Sequence, residues 1–205
     1  MDPAGSRDDR EDLPALTLAA GGAVLATTAA DAGGSGSGGG HHGGHGHHGK
    51  TESVVLRGVD NAVLGRVTMR QSGDTIMVRG WVRSLTPGFH GFHVHTTGKC
   101  EAPTFTTAGG HYGPGGTTHG DHAGDMPSLL VTAEGKAYLE FVTDRFTLAD
   151  LRDADGSAMM VHGGRDNFAN IPSRYLTGTP ATPGPDTTTL NTGDAGARVA
   201  CGVID

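Results

Sequence analysis

Histidine is the commonest metal-binding side chain in proteins, and this chain concentrates it in one stretch. His93 and His95 are separated by one residue within the run 89–95, whose aromatic and β-branched residues favour a β-strand. In a strand, residues i and i+2 point to the same face, so we expect the two imidazoles to project side by side. His90, an odd number of positions from His93, should face away from them and serve as a structural hydrogen-bonding group.

Further ligand-type side chains follow in a glycine-rich segment that is unsuited to regular structure. They are His111, His119, His122 and Asp125. A loop can wrap around an ion, and imidazole nitrogens together with a carboxylate are ligands that transition metals accept. The stretch 88–125 is therefore the predicted centre of the chemistry.

The composition limits both the fold class and the partners. Of the 205 residues, 36 are glycine and only 5% are aromatic, which favours many turns joining short strands over a helical bundle. The formal net charge is −7 and the chain has no long run of lysine and arginine, so we expect no nucleic-acid partner.

From residue 51 onward, short apolar-rich runs alternate with turn residues, as in a sheet protein. The candidate strands are 53–56, 62–69, 75–82, 89–95, 128–133, 136–143, 159–162 and 198–203. The clearest hairpin turns are Ser72-Gly73-Asp74 and Glu134-Gly135-Lys136, and only 147–152 has a helical pattern, of one or two turns. We therefore predict an all-β fold, an eight-stranded Greek-key β-sandwich or barrel in which long loops carry the site.

The first 50 residues differ in composition from the folded domain predicted at 51–205. Residues 1–32 contain an uncharged run followed by small residues, as in an export signal, although the segment before that run carries more acid than base. The alternative is a cytoplasmic disordered tail. Residues 33–50 are rich in glycine and histidine and predict a flexible linker. Its histidines are either a weak metal-collecting site or part of a plain spacer; they are His41, His42, His45, His47 and His48.

The two cysteines, Cys100 and Cys201, are too far apart in sequence for a CxxC motif. They are either one disulfide or two unrelated thiols, and we favour the disulfide. It would tie the ligand-bearing loop to the last strand, and a closed loop of this length stabilises a fold by about 4 kcal/mol in the chain-entropy model. A disulfide persists in an oxidising compartment, which supports export to the periplasm, the cell surface or the medium.

Four segments resemble, in order, the signature motifs of the copper,zinc superoxide dismutase family. They are GFHVH at 91–95, AGGHY at 108–112, VH at 161–162 with Asp166 four residues on, and GDAGARVACG at 193–202. The resemblance covers about residues 53–205, and the segments TTAGGHYGPGG and FANIPSRY are most like the bacterial secreted branch. It implies a β-sandwich that uses copper and zinc as cofactors and superoxide as substrate.

The resemblance also implies a role for each matching residue. His93, His95, His111 and His162 would bind copper. His111 would also bind zinc through its other ring nitrogen, and it would carry a proton during turnover, since a histidine between two metals is an imidazolate. Arg198 would stand over the copper to attract and orient the anion.

The zinc ligands depart from the usual family spacing. The resemblance implies that His111, His119, His122 and Asp125 bind zinc, with Asp166 as an acceptor that bridges a copper histidine and a zinc histidine. Here His119, His122 and Asp125 follow at three-residue intervals, so the loop is shorter than in most members, although the closing H-x-x-D spacing is kept. A tetrahedral N₃O zinc site and a copper-only protein both remain open.

The leading interpretation is an exported superoxide dismutase that works through a histidine-bound copper. The rival is a dismutase-like domain that binds or buffers copper with little turnover; such a protein would be expected to lack a copper ligand or the guiding arginine, whereas His162 and Arg198 are both present. The loop 177–191 resembles the family's substrate-guiding loop but lacks its usual Glu and Lys residues, so steering would rest on Arg198, the metals and Arg165. The sequence leaves a homodimer open.

Overall fold

The structure, a computed structural model, describes residues 50–113 and 118–205. The predicted export signal and the five linker histidines lie outside the described residues. The described part contains eleven strands, one α-helix and two 3₁₀ turns. The strands are β1 (Thr51–Gly58), β2 (Val63–Ser72), β3 (Thr75–Arg83), β4 (Gly88–His90), β5 (Phe92–His95), β6 (Leu129–Val131), β7 (Lys136–Thr143), β8 (Ser157–His162), β9 (Leu176–Thr177), β10 (Thr182–Pro183) and β11 (Arg198–Ile204), the helix is α1 (Thr187–Thr192), and the 3₁₀ turns are Thr106–Ala108 and Asp150–Arg152.

Seven strands form one antiparallel sheet in the order β5-β8-β11-β1-β2-β3-β7, and β4 pairs separately with β6. β4 runs directly into β5 at one edge of the large sheet. At the other edge, a tight turn joins β6 to β7, closed by a 2.8 Å hydrogen bond from Thr132 N to Lys136 O. The small sheet therefore connects the two edges and closes a barrel. The last strand, β11, lies beside the first, β1, as expected for a Greek-key arrangement.

Alternating apolar residues fill the interior of this barrel. Val54 and Leu56 of β1, with Val67 and Met69 of β2, are fully buried, while their neighbours along each strand face solvent. β8 is different because all six of its residues are buried. Met159 and Val161 enter the main core, and Ala158 and Met160 pack on the other face beneath Phe105 and the disulfide. The strand that ends at His162 is therefore held from both sides.

All eight predicted strands are present, with one correction. The run 89–95 is two strands, because Gly91 leaves the ladder to accept a hydrogen bond from His162 N and to donate one to Gly164 O, both at 2.9 Å. A Cβ at Gly91 would lie 2.6 Å from the Ala195 side chain, so the close approach requires glycine. Both predicted hairpin turns are confirmed, with Gly73 and Gly135 at positive φ of 59° and 73°.

The helical elements were predicted less well. The pattern at 147–152 gives only the 3₁₀ turn, while α1 was not predicted at all. The sequence of α1, TTTLNT, has neither an apolar stripe nor strong helix formers. It forms because Asp186 caps it by accepting a 2.9 Å hydrogen bond from Thr189 N.

The predicted disulfide is confirmed between Cys100 and Cys201, whose Cα atoms lie 5.6 Å apart. It links the loop after β5 to β11, and the loop after β5 carries His111, His119 and His122 of the candidate site. Within the described ranges, none of the helices has the length and apolar character needed to cross a bilayer.

Candidate metal centre

The first histidine cluster is built on strands. His93 and His95 lie on β5, which pairs with β8, and His162 ends β8 opposite Arg198 of β11. Ring nitrogens of these three histidines and of His111 all lie within 4.8 Å of one another. His95 Nε2 is 3.4 Å from His162 Nε2, and His93 Nδ1 is buried without any hydrogen-bond partner. We call this group the copper-type cluster.

In each strand histidine, one ring nitrogen is fixed by an acceptor and the other faces the cluster. His95 Nδ1 lies 3.0 Å from Gly109 O, and His162 Nδ1 lies 3.1 Å from Gly196 O. His93 Nε2 lies 2.7 Å from Asp166 Oδ2. A neutral imidazole that donates from one nitrogen presents a lone pair at the other, so the three rings offer unprotonated nitrogens to a common point.

Burial keeps these histidines neutral. It lowers the pKa of His93 to about 4, that of His95 to about 2 and that of His162 to about 3. Loss of solvent penalises the charged imidazolium, and the charges of neighbouring histidines lower each value further. The ligand form of each ring is therefore already present at neutral pH.

The second cluster is built on the loop between β5 and β6. His111 Nδ1 lies 2.9 Å from Asp125 Oδ1, and His119 Nδ1 lies 3.2 Å from the same oxygen and 3.1 Å from His111 Nδ1. His122 Nδ1 is 3.2 Å from Asp125 Oδ2 but makes no hydrogen bond, and it is buried. His122 lies at the edge of the group: the ligand atoms found within 4.8 Å of one another here come from His93, His111, His119 and Asp125, and not from His122. We call His111, His119, His122 and Asp125 the zinc-type cluster.

Asp125 is the anionic centre of the second cluster. Burial would raise its pKa, but the hydrogen bonds with His111 and His119 outweigh burial and hold the pKa well below its usual value. Its second oxygen, Oδ2, accepts hydrogen bonds from the backbone N–H groups of Gly120 at 2.7 Å and His122 at 3.1 Å. One carboxylate therefore faces the cluster with Oδ1 and holds the loop with Oδ2.

Asp166 connects the two clusters. Its fully buried carboxylate lies 2.7 Å from His93 Nε2 through Oδ2 and 2.7 Å from His119 Nε2 through Oδ1. Burial opposes its charge, yet these hydrogen bonds keep its pKa well below the usual range. Despite burial, hydrogen bonds to Asp125 and Asp166 raise the pKa of His119 to about 9. A copper-type histidine and a zinc-type histidine thus share one acceptor.

Arg198 lines a cavity of about 650 Å³ at the open side of the copper-type cluster, together with His111 and His162. Its two terminal nitrogens donate to Phe105 O at 2.7 Å and Gly109 O at 2.6 Å. Burial lowers the pKa of the guanidinium, but an arginine stays charged at any physiological pH. The opposite wall consists of Thr188, Asn191 and Thr192 of α1 with Asp194, and Arg165 is not among the lining residues.

The structure brings the four predicted copper-type histidines together, and it places His111, His119 and Asp125 together with His122 at their edge. Arg165, which the sequence suggested for steering, does not line the cavity. His90 turns away, as predicted, and binds the backbone: its Nδ1 lies 2.7 Å from His162 O and its Nε2 lies 2.8 Å from Thr86 O. Two contributors were missed. Arg145 hydrogen-bonds the zinc-type loop, and Gly193 lies against the Asp166–His119 hydrogen bond. Local sequence gave no signal for Arg145, while the GDAG motif marked Gly193 without its role.

The donor atoms fit two different metals. The copper-type cluster offers imidazole nitrogens alone, the donor type that copper accepts in tetragonal sites. The zinc-type cluster adds a carboxylate to imidazoles, which matches a tetrahedral zinc site. The buried, unpartnered Nδ1 atoms of His93 and His122 are explained in the same way, because a metal would satisfy them.

Comparisons with known proteins agree with this geometry. The family model for copper/zinc superoxide dismutase matches residues 63–204. A copper-zinc superoxide dismutase from Mycobacterium tuberculosis is 51% identical over 140 residues, which cover 63% of this chain and 58% of that protein. One from Photobacterium leiognathi is 34% identical over 155 residues, covering 69% of this chain and 78% of that protein.

A solved structure of a superoxide dismutase-like protein from Bacillus subtilis superimposes with a TM-score of 0.62 at 26% identity, covering 75% of this chain and 97% of the other. This chain spans little more than half the length of the Mycobacterium relative. The family's cofactors are copper and zinc, for which the two clusters supply donors. By sequence and by fold, the chain belongs to the copper/zinc superoxide dismutase family.

Proposed function

We propose that this chain is a superoxide dismutase that converts two superoxide anions and two protons into O₂ and H₂O₂. The observation that carries the proposal is the convergence of the copper-type histidines at the base of a cavity that Arg198 lines. Copper held by His93, His95, His111 and His162 would supply one-electron redox chemistry in both directions. The side chains of the protein must then attract the anion and deliver protons.

Arg198 is suited to attract and orient the anion. Hydrogen bonds to Phe105 O and Gly109 O fix its planar guanidinium, so the charge stands in one place beside the cluster. Gly109 O also accepts from His95 Nδ1, so a single carbonyl holds both the arginine and a copper-type ligand. A pre-oriented cation stabilises a small anion more than a mobile one does, because it needs no reorganisation.

His111 is suited to carry the proton. Its Nδ1 faces Asp125, which leaves Nε2 as the nitrogen on the side of the copper-type cluster. The residue also lines the cavity and can therefore exchange with water there. A proton taken up at Nε2 would pass to the reduced dioxygen species beside Arg198, and the second proton would come from water.

We propose His111, His119, His122 and Asp125 as the zinc ligands, with Asp166 as the acceptor that orients His93 and His119. The mixed N₃O donor set and the unpartnered Nδ1 of His122 support this over a copper-only protein. Elemental analysis of metal per chain tests the choice, since about one zinc for each copper is expected and its absence would refute the zinc assignment.

Steering in this chain would rest mainly on Arg198. The α1 side of the cavity presents hydroxyl and amide groups, and the carboxylate of Asp194 is occupied by Thr189 Oγ1 and Asn167 Nδ2, both at 2.7 Å. Arg198 is the only cation among the lining residues of this cavity in the described part of the chain. We therefore expect a weaker salt dependence than a lysine-rich entrance would give.

A superoxide-consumption assay on the copper- and zinc-loaded chain tests the function. The loaded protein should be active, and Arg198→Ala should keep its copper content while its rate constant falls about 10- to 100-fold. Arg174→Ala removes the same charge at an exposed site that does not line the cavity, and it should leave the rate unchanged. Inactivity of the loaded wild type would refute the proposal.

The rival function is copper binding without turnover. It is kept as a second candidate because one of the similar solved structures is of a protein described only as superoxide dismutase-like. A binding protein needs its histidines but not Arg198. A copper-loaded wild type with negligible superoxide consumption, whose copper affinity Arg198→Ala leaves unchanged, would favour this rival.

We also propose that the protein is exported and that residues 51–205 are its functional domain. The Cys100–Cys201 disulfide supports an oxidising compartment. Free thiols in protein purified from its native compartment would contradict export.

A further inference from the structure

Arg145, which the family motifs do not include, contacts the loop that carries the zinc-type ligands. It lies two residues after the end of β7, and the next residue, Phe146, is buried in the core. Its guanidinium reaches the segment 118–125, which we call the ligand turn because it contains His119, His122 and Asp125. We propose that Arg145 is a positioning residue for zinc: it holds the ligand turn in the conformation that points these three side chains at His111.

The ligand turn is closed from the inside by one of its own ligands. Asp125 Oδ2 accepts hydrogen bonds from the N–H groups of Gly120 and His122, at 2.7 and 3.1 Å. Gly120 has a φ of +91°, and a Cβ there would lie 3.0 Å from Phe168 O, so the turn is tight at this end. The Asp125 carboxylate that makes these contacts also faces His111. A change in the conformation of the turn would therefore change the direction in which Asp125 presents its oxygen to a metal.

Arg145 closes the same turn from the outside. Its Nη1 donates to Asp125 O and its Nη2 donates to Gly120 O, each at 3.2 Å. The guanidinium therefore connects the backbone of Gly120 to the backbone of Asp125. The Asp125 carboxylate connects the same two residues on the inner side of the turn. A planar fork with two parallel donors suits this task, whereas a lysine ammonium would reach the two carbonyls as a single point charge.

The base of the Arg145 side chain is itself fixed. Its backbone N–H donates to Thr143 Oγ1 at 3.3 Å, and Phe146 anchors the chain that follows. The β7–β8 connection, which contributes no proposed metal ligand, thus supports a loop whose contacted residues lie 20 and 25 positions earlier in the sequence. Without it, the Asp125 and Gly120 carbonyls would turn to water and the ligand turn would sample wider conformations.

The copper-type cluster should not depend on Arg145. His93, His95 and His162 are placed by β5 and β8, and their outer nitrogens bind Asp166, Gly109 and Gly196, none of which touches the arginine. Loss of Arg145 is therefore expected to weaken zinc binding selectively. The inference rests on the proposed zinc ligand set.

Competition with a chromogenic chelator, on the full chain, measures the affinity for zinc and for copper separately. Arg145→Gln should weaken zinc binding about 10- to 100-fold, the usual effect of removing a group that orients a ligand, and Arg145→Lys should fall between it and the wild type. Copper affinity and the thermal midpoint of the metal-free protein should stay at their wild-type values. Arg70→Gln, at an exposed site on β2, removes the same charge and should change neither affinity.

His119→Ala separates the two ways of failing. If it abolishes zinc binding while Arg145→Gln binds zinc as the wild type does, the role of Arg145 is wrong and the ligand set stands. If His119→Ala also binds zinc normally, the ligand set is wrong and the inference falls with it. An equal loss of copper and zinc affinity in Arg145→Gln would mean general destabilisation and would likewise overturn the proposal.

Discussion

The two histidine clusters share His111, but different parts of the fold build them. The copper-type histidines other than His111 lie on β5 and β8, the second of which is buried along its whole length. The zinc-type residues lie on a long loop whose shape depends on Asp125, Arg145 and the disulfide. Strands fix the direction of a side chain through their ladder, whereas a loop must fix it contact by contact.

The clusters also differ in charge. Burial lowers the pKa values of His93, His95 and His162 and keeps these strand histidines neutral. In the zinc-type cluster, by contrast, hydrogen bonds to Asp125 and Asp166 raise the pKa of His119. Asp166 joins the two regions and is the acceptor for one histidine of each. The barrel strands therefore preform the copper-type cluster, whereas the zinc-type cluster joins the loops to it through Asp166.

The largest effect is expected from removing a copper-type ligand. His162→Ala should reduce copper affinity and superoxide consumption more than about 100-fold, because β5 fixes His93 and His95 and the hydrogen bond to Asp125 fixes His111, so that no imidazole is free to replace the lost ligand. Zinc affinity should change little, since His162 contacts no zinc-type residue by hydrogen bond. Metal titration of the variant checks both, and an unchanged copper affinity would contradict the cluster.

A change at the shared acceptor should discriminate between the clusters. In Asp166→Asn the amide can accept from only one of the two imidazoles, so one hydrogen bond is lost. We expect zinc affinity to fall about 10- to 100-fold and copper affinity to fall less, because β5 still holds His93. Chelator competition measures the zinc affinity and the copper affinity. An equal loss of the two affinities would show that Asp166 supports both clusters to the same degree.

Gly193→Ala tests the coupling without changing a ligand. Gly193 has a φ of +58°, and a Cβ there would collide with Asp166 Oδ1 and His119 Nε2. Gly196→Ala is the matched control, since its φ is +79° but its nearest atom would be 3.7 Å away. Both should lose about 1–2 kcal/mol of unfolding free energy from the left-handed backbone, and only Gly193→Ala should also lose zinc affinity, by about tenfold. Equal zinc affinity in the two variants would show that the space beside the Asp166–His119 hydrogen bond does not affect zinc binding.

The smallest effect is expected at the cavity wall. Asn191→Lys adds a cation to a wall that has no lysine or arginine, so the rate with superoxide should rise about two- to tenfold at low salt. The gain should vanish near about 1 M salt, where charges are screened within ~3 Å. Val142→Lys, on the outer face of β7, adds the same charge away from the cavity and should give no gain. A salt-independent gain would argue against steering.

The strand-built half of the site was more predictable than the loop-built half. Short apolar-rich runs between turn residues predicted the barrel strands, except that the run 89–95 is two strands. The one-residue spacing of His93 and His95 predicted that their imidazoles would project side by side. His90 lies an odd number of positions from His93, which predicted that it would face away from the cluster. Its ring does bind His162 O and Thr86 O instead. Such patterns succeed because a strand converts sequence spacing directly into direction.

The loop contacts had no comparable local signal. Arg145 reaches Gly120 and Asp125 across 25 and 20 positions of sequence, and no periodicity marks such a pair. The bridging role of Asp166 came from family resemblance alone. α1 was missed because it has few strong helix-forming residues. Its stability depends instead on the cap at Asp186 and on the hydrogen bond that His119 N donates to Leu190 O.

Anomalous diffraction at the copper and zinc edges, on crystals of the loaded chain, tests the central claim most directly. We expect a copper peak among the ring nitrogens of His93, His95, His111 and His162, facing Arg198, and a separate zinc peak among His111, His119, His122 and Asp125. A copper peak outside the copper-type cluster, or one that His93, His95 or His162 fails to touch, would contradict the proposed site.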